Sequence, residues 1–322
     1  MTDTRSDYGI WVERHRPQRL ETAALPSRIK KAFQGFLDKG DFPNLLLTGP
    51  AGCGKTTMAK ALCRQLDLDV LVINASEERN IDVLRTTIKG FASTMSFGGG
   101  LKVVILDEAD GLNPQTTQPA LRAFIEEFAG SCRFILTANY KNRLIEPLHS
   151  RMTNIDFYPK GKEEKAEWMF TIYTVVTDLL KNEGIPDDGK AVAKAVNKYF
   201  PDIRKLINDL QTYASTYGKV DAAFLNESPA LNEEVLKTLY AALAAKSFQK
   251  TRVWVAENLP NLEQHRLFRL IFDASDAHVE PDSMPTLIYL LGKYSHMAAF
   301  SQDAEINFMS FCVEAMAEIK FK

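Results

Sequence analysis

Between Asn44 and about Phe157 the chain alternates short apolar runs with stretches of helical periodicity: NLLLT, MAKALCRQL, VLVIN, VLRTTIKGF, VVILDE, LRAFIEEF, FILTA and TNIDF. Strand, helix and strand repeated in this way predict βαβ units and a parallel sheet. The run Val103, Val104, Ile105, Leu106 does not alternate with polar residues, which is the pattern of a central strand buried on both faces. The fold class is therefore α/β, with helices on both sides of the sheet.

After Pro159 the strand-like runs give way to helical periodicity, first in EEKAEWMFTIYTVVTDLLKNEG, with Gly184 and Pro186 as a helix stop. The segment AAFLNESPALN, from Ala222 to Asn232, reads as a joint before further helices. In the last helix Phe308, Phe311, Cys312, Ala315, Met316 and Ile319 recur at spacings of three and four and form an apolar stripe. That stripe is either an ordinary core face or a surface for packing against another subunit. Boundaries are expected at 1–159, 160–227 and 228–322, in keeping with the roughly two or three domains that a chain of 322 residues suggests.

Composition narrows the function classes. With 39 Lys and Arg against 41 Asp and Glu, the formal charge is −2, so any contact with nucleic acid must be a local patch. Hydrophobic residues make up 45% of the chain, which excludes a disordered or low-complexity sequence. Cys53, Cys63, Cys132 and Cys312 form no CxxC pair and the histidines no HxxxH pair, so neither a zinc site nor a disulfide framework is suggested. MTDTRSDYGI lacks the basic-then-apolar pattern of a signal peptide, and no apolar run approaches the roughly 18 residues of a membrane span. A soluble, cytoplasmic protein is expected.

The strongest chemical signal is Gly49-Pro50-Ala51-Gly52-Cys53-Gly54-Lys55-Thr56, a GxxxxGKT phosphate loop lying directly between an apolar strand and a helix. Its glycines let successive backbone N–H groups point into one concavity, the helix N-terminus adds positive potential, Lys55 reaches the β/γ oxygens, and Thr56 suits Mg2+. VVIL then leads into Asp107-Glu108-Ala109-Asp110. An aspartate ending a buried parallel strand stands at the carboxyl edge of the sheet, where Asp107 can hold the metal's water shell. Glu108 is placed to polarise an attacking water. Asp110 is either a further member of this set or a cap for the next helix. Asn139, ending FILTA, reaches the nucleophilic water or γ-phosphate if its strand lies beside the other two; otherwise it is a turn residue.

These residues resemble AAA+ ATPases and, more narrowly, clamp-loader ATPase subunits: the replication factor C small subunits and the large subunit of T4-type phage loaders. The resemblance covers most of the chain. Trp11-Val12-Glu13-Arg14-His15-Arg16-Pro17 is similar to the family's WxExYRP segment, with His15 in place of tyrosine; Asn74 to Asp82 is similar to NASDERGID; and Pro147-Leu148-His149-Ser150-Arg151 is similar to PLxSRC, with Met152 in place of cysteine. It implies a five-stranded AAA+ sheet, a small helical lid and an all-helical collar, with ATP and Mg2+ as cofactors. Val12, Arg16, Pro17 and Thr57 join the phosphate loop as nucleotide-binding residues. Asn139 becomes sensor 1 and Arg204, in Phe200-Pro201-Asp202-Ile203-Arg204, the lid's sensor 2. Arg151 becomes the finger that reaches a neighbouring subunit's γ-phosphate.

From Ile81 to Phe91, residues Ile81, Leu84, Ile88 and Phe91 share one helical face while Arg85 and Lys89 share another. Taken alone, such cations are a solvated face. With Arg79 nearby, the family resemblance makes them contacts to primer-template DNA, read through phosphates rather than bases. Gln118 and Arg122 match family positions near the path between DNA and the ATP site, and Met95 and Phe97 match positions that the family presents to the ring-shaped clamp. The implied partners are the sliding clamp, DNA, identical copies and a distinct loader subunit in a pentameric arc, with no membrane. The rival readings are another AAA+ DNA motor, such as a branch-migration helicase, and a structural loader subunit with little hydrolysis. The complete set of phosphate, metal, base and finger residues argues against the latter.

Overall fold

The computed structural model describes residues 9–77, 81–94, 101–227, 233–259, 264–298, 300, 301 and 303–322. The chain divides into two compact units, 1–225 and 226–322. In the first, strands β1 (Leu45–Thr48), β2 (Asp69–Asn74), β3 (Lys102–Asp107), β4 (Cys132–Ala138) and β5 (Thr153–Asp156) form one parallel sheet in the order β2-β3-β4-β1-β5. Its helices are α1 (Trp11–Arg14), α2 (Ser27–Lys39), α3 (Lys55–Gln65), α4 (Ile81–Ser93), α5 (Thr117–Glu127), α6 (Glu146–His149), α7 (Gly161–Asn182), α8 (Gly189–Tyr199) and α9 (Ile203–Tyr217).

Successive residues of a strand point to opposite faces, and in the central strands β1, β3 and β4 both faces are dry. Leu45, Leu47, Val103, Ile105 and Ile135 pack into one core with Phe33 of α2, Leu62 of α3, and Trp168 and Leu210 of α7 and α9. Leu46, Val104, Leu106, Phe134 and Leu136 pack into the other with Leu84 and Ile88 of α4 and Leu121 and Phe124 of α5. This is why the strand sequences show no polar alternation.

The helices after the sheet are anchored to its N-terminal flank. Trp168 of α7 is fully buried, donates its indole N–H to the Ala24 carbonyl at 2.8 Å, and meets Phe200 edge-on with ring centroids 5.3 Å apart. The backbone N–H of Trp11 donates to Gln211 Oε1 of α9 at 2.9 Å. Helix α7 ends where Gly184 adopts a left-handed φ of 69°, as the Gly-x-Pro stop requires. The boundary between the two units, at 225/226, falls within the joint expected from Ala222 to Asn232; that segment carries Phe224, buried in the core of the first unit, as the first residue of a short helix α10 (Phe224–Glu227). Its Ser228 to Asn232 portion lies outside the described residues.

The second unit comprises α11 (Glu233–Ala244), α12 (Phe248–Asn258), α13 (Gln264–His278), α14 (Met284–Ala298) and α15 (Ala304–Glu318). The apolar stripe of the last helix is a core face: Phe308, Phe311, Cys312, Ala315, Met316 and Ile319 are all buried against Trp254, Phe268 and Leu290 of the same unit. Its outward positions are Ile306 and Val313, 66% and 47% exposed. Among the described residues no helix is long and apolar enough to cross a membrane.

Replacing Trp168 with Ala is expected to destabilise the first unit by about 3–5 kcal/mol through lost burial and a residual cavity. Trp168→Phe, which strands the buried Ala24 carbonyl, should cost about 1–3 kcal/mol. Urea titration followed by circular dichroism checks both, and a change in unfolding free energy under about 0.5 kcal/mol for Trp168→Ala would refute this anchoring role.

Candidate nucleotide site

The strand order decides the geometry. β4 runs between β1 and β3, so the phosphate loop after β1, Asn139 after β4 and Asp107 at the end of β3 open side by side at the carboxyl edge of the sheet. They face a cavity of about 720 Å³ lined by Val12, His15, Arg16, Pro17, residues 51–58, Asp107, Glu108, Thr137, Asn139, Ile203 and Arg204, together with residues of α7. Of the residues expected to bind nucleotide, Val12, Arg16, Pro17, Gly52, Cys53, Gly54, Lys55, Thr56 and Thr57 line this cavity. Gly49 and Pro50 stand behind it and supply carbonyls to Lys55.

The Lys55 side chain is 7% exposed, and its ammonium donates to Gly49 O at 2.8 Å, Pro50 O at 2.7 Å and Asn139 Oδ1 at 2.8 Å. An ammonium carries three donors, so a buried one must find acceptors. Burial pushes its pKa below the ordinary lysine value, opposed by the thiol of Cys53 and the carboxylates of Asp107 and Asp110. Burial likewise raises the Cys53 thiol, which donates to Pro50 O at 3.0 Å.

Asp107 is held by two hydroxyls: Thr56 Oγ1 and Thr137 Oγ1 each donate to its Oδ1 at 2.6 Å. Thr137 also accepts the backbone N–H of Glu108 at 3.0 Å. Glu108 has a left-handed φ of 56°, a conformation that costs about 1–3 kcal/mol and persists only where neighbours over-determine it. Asp110 does not cap the next helix, whose N-cap is Thr116; its Oδ2 accepts the Tyr140 N–H at 3.1 Å, and its buried Oδ1 has no hydrogen-bond partner. No group of three or more His, Cys, Asp or Glu that could hold a metal unaided occurs among the described residues. The donor set instead suits Mg2+, which takes one or two protein oxygens and completes its shell with phosphate oxygens and water.

Helix α9 brings the lid to the phosphate loop. The Ile203 N–H donates to Gly52 O at 3.2 Å, and Asp202 caps the helix by accepting from the Lys205 N–H at 2.9 Å. Gly52 has φ 71°, and a Cβ there would lie 1.8 Å from Asp202 Oδ1, so only glycine permits this approach. Arg204, in the first turn of α9, consequently lines the cavity opposite Lys55. On the N-terminal side, His15 and Arg14 both pair with Glu183 just beyond α7, and Arg16 pairs with Glu13.

The remaining expected residues lie elsewhere. Arg85 and Lys89 are exposed on α4, on the flank beside its buried Leu84 and Ile88, with Ile81 and Phe91 partly buried. Arg85 stacks 6.0 Å from the Phe124 ring of α5, Lys89 pairs with Glu127 at 3.3 Å, and Arg122 pairs with Glu126 at 3.5 Å. Gln118 is fully buried: its amide donates to the carbonyls of Leu112 and Arg143, each at 3.0 Å, and accepts the Ile145 N–H at 2.8 Å. Arg151 is not among the residues lining the cavity; it is held beside α5 by Glu126. Arg79, Met95 and Phe97 lie outside the described residues.

Three contributors escaped the sequence reading. Thr137 carried a faint signal, a polar residue within an apolar strand; Asp202 carried a capping signal; Glu126, an acid on an exposed helix face, carried none.

The profile of the ATPase family associated with various cellular activities (AAA) matches residues 45–159, and that of the sliding-clamp-loader large subunit AAA+ ATPase lid domain matches residues 165–226. The sliding-clamp-loader large subunit of Enterobacteria phage T4 is 32% identical over 97% of both chains, and that of Escherichia phage RB69 is 30% identical over 100% of both. A replication factor C small subunit of Sulfurisphaera tokodaii is 36% identical over 92% of both. A solved structure of a Thermotoga maritima RuvB variant superposes with a TM-score of 0.55 at 16% identity over 86% of each chain, a likeness of fold alone. With an AAA phosphate site, a clamp-loader lid seated against it and full-length similarity to loader subunits, the chain belongs to the AAA+ clamp-loader ATPase family.

Proposed function

We propose that this chain is the ATPase subunit of a loader that opens a ring-shaped sliding clamp and places it on primer-template DNA, using ATP binding and hydrolysis at subunit interfaces. The observation that carries the reading is that one cavity gathers Lys55, Thr56, Asp107, Glu108, Asn139 and Arg204, while Arg151 stands outside it. The site supplies everything but the finger, and the chain carries a finger without a use in its own site. Identical copies in an arc would complete one another's sites, with a distinct subunit closing a pentamer.

In this reading residues 1–159 form the nucleotide-binding domain, 160–227 the lid and 228–322 the collar that joins subunits. Lys55 binds the β/γ-phosphate oxygens, exchanging its loop carbonyls for charged acceptors, and remains tied to Asn139. Thr56 and Asp107 would hold Mg2+, which would supply charge neutralisation at the phosphate oxygens. Glu108 takes the proton of the attacking water, its backbone pinned by Thr137, and Asn139 orients that water. Arg204 senses the phosphates from the lid. Arg151 of the adjacent copy stabilises the charge that develops as the terminal phosphoryl group leaves. Arg85, Lys89 and Arg122, with Arg79, contact DNA phosphates, and Met95 and Phe97 meet the clamp.

The deciding experiment is steady-state ATP hydrolysis by the reconstituted complex, with and without clamp and DNA. Clamp and DNA together should stimulate turnover, and Arg151→Ala should remove roughly three orders of magnitude of it while ATP binding is retained. Turnover indifferent to the clamp would sink the loader reading. For the DNA surface, affinity measured across a salt series should fall with a slope that Arg85→Ala makes shallower by about 0.9 for each copy that contributes the contact. An unchanged slope would remove Arg85 from the phosphate path.

A further inference from the structure

We propose that Glu126 is a positioning residue for catalysis in trans: it fixes the orientation of the Arg151 guanidinium so that the finger is aimed before a neighbouring site closes on it. The inference rests on the reading of Arg151 as the finger. Arg151 Nε and Nη2 both lie against Glu126 Oε1, at 2.7 and 2.6 Å. From the other side Nη1 donates to Pro147 O at 2.9 Å and Ser150 Oγ at 3.1 Å. One acceptor comes from α5 and two from the turn around α6, so the planar group is gripped along two edges by separate elements. A long, flexible side chain loses much of its reach as a catalytic group unless such a shell limits its rotamers.

Glu126 is carried on a packed helix: Leu121, Phe124 and Ile125 of α5 are buried in the core, with Glu126 at the surface. The charge count also suits an aimed finger rather than a cancelled one. Arg122 Nε lies 3.5 Å from the same Oε1, so two guanidinium groups share one carboxylate and the trio keeps a net positive charge for an approaching phosphate. The Arg151 hydrogen bond is the foremost cause that lowers the Glu126 pKa below the usual carboxylate value. A depressed carboxyl keeps its pairing at neutral pH and loses it only as pH falls through that lowered value. An exposed ion pair of this kind contributes little to stability, which makes orientation the more economical account of its geometry.

The test uses the reconstituted loader with clamp and primer-template DNA, comparing Glu126→Ala, Glu126→Gln, Arg151→Ala and the Glu126→Ala, Arg151→Ala pair. Glu126→Ala should lower kcat on the order of tenfold with KM for ATP within about twofold, because aim rather than binding is lost. Glu126→Gln, whose amide oxygen still accepts, should recover part of that loss. In the Arg151→Ala background Glu126→Ala should change nothing further, since the two act as one unit. A kcat unaffected by Glu126→Ala, in a loader that Arg151→Ala silences, overturns the positioning role and leaves the finger assignment standing. A raised kcat overturns it as well and makes Glu126 a restraint. Full turnover by Arg151→Ala shows that the finger assignment itself has failed. Thermal melting of each variant, expected within a degree or two of the parent for a surface site, separates these outcomes from misfolding.

Discussion

A buried ammonium needs acceptors, and in this chain the sheet supplies them. Lys55 can sit almost out of water because β4 lies between β1 and β3, which brings Asn139 to within 2.8 Å of it and sets the loop carbonyls on its other side. The same adjacency lets Thr137 of β4 hold Asp107 of β3, while Thr56, at the start of α3, holds that oxygen from the β1 side. Remove the interposed strand and Asp107, Lys55 and Asn139 part company. The geometry of the site is thus a property of strand order, and strand order is held by two apolar cores that bury both faces of the central strands.

The lid is attached to this edge through backbone. Gly52 lacks the Cβ that would strike Asp202, which allows the first turn of α9 to hydrogen-bond the phosphate loop directly. The Gly49–Thr56 loop and the start of α9 are therefore joined by a direct backbone hydrogen bond. On the far side, Arg14 and His15 share Glu183, so the N-terminal segment is tied to the end of α7. His15, where the family's segment has tyrosine, makes its polar contact with Glu183.

Much of this was legible in sequence, for identifiable reasons. The five strands stand out because each is a short apolar run between helical patterns, and β3 because burial on both faces removes the polar alternation. The phosphate loop and acidic tetrad are legible because their chemistry needs particular residue types at fixed spacing. Asn139 was conditional on its strand's neighbours, and the sheet meets that condition. The stripe on the last helix could be read two ways, since a core face and a packing surface have the same periodicity; only contact with Trp254, Phe268 and Leu290 makes it core. The family position of Gln118 is legible in sequence, but its bonds to three backbone groups of separate segments are not.

Local order, then, was determined by the sequence itself: where strands and helices fall, which loop cradles phosphate, which carboxylates follow a buried strand. These depend on periodicity and on residue chemistry within a few positions of one another. What only the tertiary structure decided are contacts between residues far apart in the chain: Thr137 on Asp107, Asp202 against Gly52, Glu126 on Arg151. Each pairs ordinary polar residues whose types carry no signal until strand order and helix packing place them within hydrogen-bond reach, because a hydrogen bond depends on distance and direction rather than on separation along the chain.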